Sequence, residues 1–171
     1  MNAQASTLKP TLQLFEAVMP AVHDTFVLQR TYPRTVDKVF AALSEADKKR
    51  RWFAAPSGDG QFEMDFQVGG QERNVSVMGK DTPFPGTRLS SLSVYQDIVP
   101  GQRIVLVQTM SLGANRISSA LITFEVAPAG ARTTLTLTHQ AAFYEHADGP
   151  KMRLEGWTAL LERFTAELEA A

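Results

Sequence analysis

Apolar positions in this chain follow two different periods. Near the C-terminus Leu154, Trp157, Leu161, Phe164 and Leu168 recur at spacings of three and four, with Leu160 beside them. That is the stripe of an amphipathic helix. Asp148-Gly149-Pro150 precedes it, offering a cap and a proline at the first helical position, where no N–H is required. The pattern predicts one long helix over 148–171.

Upstream the period changes to two. Phe26, Leu28, Arg30 and Tyr32 alternate with Val27, Gln29 and Thr31 as a strand with apolar residues on both faces. After Pro33, Thr35 is placed to cap a helix carrying Val36, Val39, Phe40 and Leu43 inward. Ser44 and Asp47 suggest a second capping arrangement, opening a short helix through Lys48, Lys49, Arg50, Arg51 and Trp52. Its basic residues sit late in the helix, where the dipole favours them, and read as a solvated end. Residues 56–60 are a loop by composition. Phe62, Met64, Phe66 and Val68 then alternate with Gln61, Glu63, Asp65 and Gln67 as a strand wet on one face, turned by Gly69-Gly70 into a returning strand over 72–78. Strands over 89–99, 103–112, 117–126 and 132–139 follow, separated by Pro100-Gly101, Gly113-Ala114-Asn115 and Pro128-Ala129-Gly130. Strands segregated from helices imply an α+β fold with an antiparallel sheet. Its twist lets it wrap the last helix.

Bulk properties narrow the picture. With 171 residues and ordinary apolar content, one domain with a sizeable core is expected. Residues 1–23 read as an extension and 24–171 as the domain. Within the extension Leu12, Phe15, Val18 and Met19 have helical spacing, expected to pack on the domain or to be lost to solvent, with a homodimer contact as the sharper alternative. A net charge of −1 gives no support to nucleic-acid binding. The chain contains no cysteine, which excludes disulfides and thiolate chemistry. No apolar run is long enough to insert in a membrane and no signal segment opens the chain, so a cytoplasmic location is the default.

Several pieces together resemble a known family. They are Arg30-Thr31-Tyr32-Pro33 before Val39-Phe40-Ala41-Ala42-Leu43, Trp52-Phe53, Asp65-Phe66-Gln67-Val68-Gly69-Gly70, the run from Tyr95 to Val105, the run from Gly130 to His139, and Gly156-Trp157. In order and spacing they are similar to the START-like (SRPBCC) superfamily, and within it to bacterial proteins like the C-terminal domain of the activator of Hsp90 ATPase. The resemblance implies a helix-grip fold with a cavity between sheet and C-terminal helix. Where the family often has arginine before Val68, this chain has Gln67, so no cationic role carries over to that position.

No catalytic or cofactor motif has a distinctive spacing. His23, His139 and His146 lack a metal-ligand pattern, Gly69-Gly70 is no phosphate loop, and Ser90-Ser91 and Ser118-Ser119 lack a nucleophile elbow and read as surface or ladder residues. Glu63, Asp65 and Glu72 are near enough in sequence for an acid/base pair, but alternation puts Glu63 and Asp65 opposite Phe62, Met64 and Phe66, and solvation is the favoured reading. His139 reads as a satisfied histidine near a strand end, with a polar anchor or general base as the alternative. The informative surplus is of adaptable apolar groups. Phe53, Met64, Phe66, Met78, Met110, Phe143, Trp157 and Leu161 are the expected cavity wall, with Tyr95, Gln108, His139 and Trp157 as polar anchors. Three functions follow: binding of a lipid-like or aromatic small molecule, a surface contact with an Hsp90-type ATPase implied by the resemblance alone, and a cyclase or hydrolase using the same cavity.

Overall fold

A computed structural model describes residues 19–54 and 60–170. The helical spacing over 11–19 and the loop over 56–60 lie almost wholly outside these residues. The elements are β1 (Val22–Tyr32), α1 (Val36–Ser44), α2 (Ala46–Phe53), β2 (Gln61–Met64), β3 (Gln71–Val77), β4 (Arg88–Val99), β5 (Arg103–Leu112), β6 (Asn115–Ala129), β7 (Arg132–Phe143) and α3 (Gly149–Ala170). All seven strands form one antiparallel sheet in the order β1-β7-β6-β5-β4-β3-β2. The sheet curves around α3, with α1 and α2 beside the helix. This is the helix-grip α+β fold.

The second strand is shorter than its alternation predicts. It stops at Met64, because Asp65 opens a tight turn in which Gln67 N–H donates to the Asp65 carbonyl and Gly70 N–H to the Gln67 carbonyl. A Cβ on Gly70 would stand 2.1 Å from the Asp65 carbonyl oxygen, so only glycine fits there. Phe66 still faces inward without a strand partner, its ring 5.2 Å from Tyr95 and 6.3 Å from Phe40.

Helix α2 also differs from expectation. Its N-cap position is Glu45, not Ser44, and no side chain caps it. Its basic residues are a solvated end only in part, with Arg50 and Arg51 exposed. Lys49 shares the inward face with Trp52 and Phe53, and Arg51 grips Glu167 of α3 through Nε and Nη2 at 2.8 and 2.5 Å.

The far half of α3 is the anchor. Leu161, Phe164 and Leu168 are buried, and the Phe164 ring meets Trp52 edge-on at 5.0 Å and Tyr32 at 5.4 Å. Each such side chain contributes roughly 1.5–3 kcal/mol of burial. At the near end the stripe is displaced by one residue: Leu154 is 36% exposed and Arg153 is buried instead.

Candidate functional site

Strand register explains where the concave face is filled and where it is not. Side chains on one face of neighbouring strands stand in rows across the sheet. One row runs Tyr95, Leu106, Ile122, His139, Phe26, all large and packed. The next runs Glu72, Ser93, Gln108, Ala120, Ala141, and the one after it Asn74, Ser91, Met110, Ser118, Phe143. At the β3 and β4 end these rows hold Ser93 beside Glu72, and Ser91 beside Asn74. Small side chains there leave a volume that α3 spans without filling.

That volume is a cavity of about 410 Å³. Its floor comes from Asn74, Ser76, Ser91, Gln108 and Met110, and α3 covers it with Arg153, Gly156, Trp157 and Leu160. Phe53 closes the inner end, and Pro83 and Phe84 of the β3–β4 connection stand at the rim with Met152. Phe84 and Met152 are both exposed, as mouth residues would be. A hollow of about 590 Å³ on the other face is shallower, lying where Val107, Leu121 and Gln140 meet solvent.

A bulge tunes the floor. The β5–β6 register shifts between Met110 and Ser111, so Ile117 is the extra residue and both it and Ser118 are buried on the concave side. Ile117 lines the cavity. Ser118 accepts a hydrogen bond from Arg153 Nη2 at 3.0 Å, and the same guanidinium holds Asp148 through Nε at 2.8 Å and Nη2 at 2.7 Å. The Arg153 guanidinium lies 5.1 Å from the centre of the Phe143 ring.

Of the residues expected at a cavity, Phe53, Met78, Gln108, Met110 and Trp157 are on the wall. Met64, Phe66, Tyr95, His139, Phe143 and Leu161 are not. Phe66 and Tyr95 pack together beyond the inner end, Phe143 lies beneath Arg153, and Leu161 is in the core, where its neighbour Leu160 takes the wall position. Sequence reasoning passed over Asn74 and read Ser91 as a surface or ladder residue; Arg153, which its place just before Trp157 puts near a cavity mouth as an entrance or solvated residue, is buried on the wall. Ser91 and Ser118 are buried and inward, not surface residues. The signal for the serines was present, since Ser91 and Ser93 alternate in phase with Leu89 and Tyr95.

Two buried polar groups sit apart from the wall. Glu72, expected in solvent, accepts from Lys49 Nζ and from the Tyr95 hydroxyl, each at 2.5 Å and on the same oxygen, Oε2. Burial, reinforced by that carboxylate, raises the Tyr95 pKa far above its ordinary value. His139 is fully buried, and neither ring nitrogen has a hydrogen-bond partner among the described residues. It is therefore not the satisfied histidine expected. Its ring stacks on Phe26 at 4.7 Å and lies 6.2 Å from Trp157. Burial lowers its pKa to about 4, with the Arg153 cation adding to the effect and Asp148 opposing it. Among the described residues no group of His, Asp or Glu is arranged to hold a metal ion, and no helix is long and apolar enough to cross a membrane.

The sequence profile described as activator of Hsp90 ATPase homolog 1-like protein matches residues 33–169. The chain belongs to this family. No curated protein matches it. Among solved structures, it is similar to the Mll3558 protein from Rhizobium loti, at 39% identity over 87% of this chain and 99% of that one, with a TM-score of 0.79. It is also similar to a protein from Rhizobium leguminosarum, at 33% identity over 88% and 97% of the two chains and a TM-score of 0.79. Protein CV1439 from Chromobacterium violaceum, at 19% identity over 85% of this chain and 97% of that one, has a TM-score of 0.66 and shares the fold. Family membership leaves the occupant of the cavity to be argued from its walls.

Proposed function

We propose that this member of the activator of Hsp90 ATPase homolog 1-like family binds a hydrophobic small molecule, lipid-like or aromatic, in the cavity under α3. The observation that carries the reading is a volume of about 410 Å³ whose wall sets Phe53, Met78, Met110 and Trp157 among a few amide, hydroxyl and charged groups. Apolar surface with sparse, placed polar groups is the lining of small-molecule sites, and the volume is within their range. Methionine at two wall positions lets the surface adapt to its ligand.

Native mass spectrometry with a thermal-shift screen of apolar and aromatic compounds tests this. A ligand-sized mass increment together with a raised Tm is the expected result. Absence of both across long-chain and polycyclic probes would overturn the reading.

The family description favours a second reading, a surface contact with an Hsp90-type ATPase. It predicts a changed ATPase rate on addition of this protein to the cognate chaperone, and an unchanged rate at saturating protein would remove it. A cyclase or hydrolase reading is weaker, because the two groups expected to move protons, Tyr95 and His139, are both outside the cavity wall.

A further inference from the structure

The outer face of the sheet carries open apolar surface on two interior strands. Val107 of β5 and Leu121 of β6 are register partners, and each is 39% exposed. They share a row with Gln140 and Thr25. The row beside it runs Thr109, Ser119, Ala142, His23. Ser119 and Ala142 are small, so the surface dips beside Leu121 into the hollow of about 590 Å³. The hollow extends to the start of β1, where His23, Asp24 and Thr25 line it.

The chain supplies a segment of matching chemistry at that edge. Residues 1–18 lie outside the described residues, and the first described residue, Met19, is 69% exposed. At about 100° per residue in a helix, Leu12, Phe15, Val18 and Met19 fall within about 120° of arc. Pro10 before them and Pro20 after them bound such a helix. Eight residues over 11–18 rise about 12 Å. Leu121 on β6 is two strand spacings of about 4.8 Å each from β1, within that reach. An isolated helix this short is marginal in water, and it persists only where its apolar stripe is covered. Met19, Pro20, Ala21 and Val22 alone separate the segment from His23. So short a tether gives an effective concentration on the order of millimolar, which favours the hollow of the same chain over that of a second copy.

We propose that residues 11–18 fold as a helix onto the outer face of their own sheet, with Leu12, Phe15 and Val18 seated against Val107 and Leu121 in the hollow beside β1.

Isotope-edited NMR of the full chain tests this. Helical chemical shifts over 11–18 and nuclear Overhauser contacts from the Phe15 ring to the methyls of Val107 and Leu121 are expected, all within one chain. A mixed sample of labelled and unlabelled protein separates the two sources of the segment. Contacts found only between chains would mean that a second copy fills the hollow, and would overturn the inference. Coil shifts over 11–18, or contacts to another exposed apolar residue such as Leu154 in place of these, overturn it as well. A mutant cycle adds a readout that a general loss of apolar surface does not give. Phe15→Ala and Leu121→Thr, the second keeping a strand-forming residue, should each lower Tm by about 2–4 °C. The two together should lower it by less than the sum, since both remove one contact; strictly additive losses overturn that contact.

Discussion

Lys49 and Glu72 form an ion pair 2.5 Å long with side chains only 3% and 2% exposed, joining α2 to β3 beneath the core aromatics. The Lys49 ammonium also lies 5.3 Å from the centre of the Phe53 ring and 5.7 Å from that of Tyr95. Removing one partner of such a pair strands the other charge in a medium that cannot solvate it. Lys49→Met is therefore expected to cost about 3–5 kcal/mol. Lys49→Met with Glu72→Gln should cost less than the single change, because the amide is uncharged and still accepts from Tyr95. Urea unfolding of the three proteins measures the difference.

His139 sets a pH dependence. Its folded pKa, about 4, lies below the ordinary 6.5, so between these values the unfolded chain binds a proton that the folded protein excludes. The stability contributed above pH 6.5 is lost as the pH falls toward 4, by roughly 3 kcal/mol at most. His139→Leu cannot take up that proton. Its unfolding free energy should fall less than that of the unmodified protein over this window, as read from urea melts at both ends of it.

Trp157 stands between the cavity and the packed core, with ring centres 5.9 Å from Phe124 and 6.1 Å from Phe53. Trp157→Ala merges a new void with the existing one and should cost about 3–5 kcal/mol. The neighbouring Gly156 offers the opposite result. A Cβ there meets nothing within 4 Å, so Gly156→Ala should stabilise α3 by about 0.5–1 kcal/mol through reduced backbone freedom in the unfolded chain. Thermal melts of the two variants should move in opposite directions.

The Gly69-Gly70 turn separates two glycine requirements. Gly69 has φ of 84° with open space around its Cβ position, so Gly69→Ala meets only the left-handed penalty of about 1–2 kcal/mol. Gly70→Ala collides with the Asp65 carbonyl and has to displace backbone, an overpacking cost of about 1–3 kcal/mol or more. Denaturation midpoints should place Gly70→Ala below Gly69→Ala.

How far the sequence exposed the site depended on which residues carried the pattern. The strand order from β2 to β7 and the long helix were legible because alternation and helical spacing are written in apolar residues. Charged residues on inward faces were hidden by their own chemistry. Arg153 lies four before Trp157 and Lys49 three before Trp52, so helical geometry alone places each on the buried face, yet a cation there reads as solvated until its partner is known. Those partners, Ser118 with Asp148 in one case and Glu72 in the other, are brought in by strand pairing and by the turn into α3. The cavity was hidden for a related reason. A void is made by what is small, and Ser91 in the middle of β4 is recognisable as floor only when its row mates Asn74 and Met110 are set beside it by the register. The split among the expected wall residues follows from the same rows: Tyr95 and His139 share one that the core fills, while Met110 belongs to one that it does not.

The order of the sheet also governs the sequence of events in assembly. From β2 to β7 every neighbour in the sheet is the next strand in the chain, but β1 pairs with β7, as in the bond from Gln29 Nε2 to Thr136 Oγ1 across 107 positions of sequence. A chain emerging from the ribosome can zip the later strands hairpin by hairpin. Its first strand must wait for the last one to be made, since long-range pairing becomes favourable only after the intervening loop has been closed. During that wait β7 carries an open edge, and the arrival of β1 is the step that seals it.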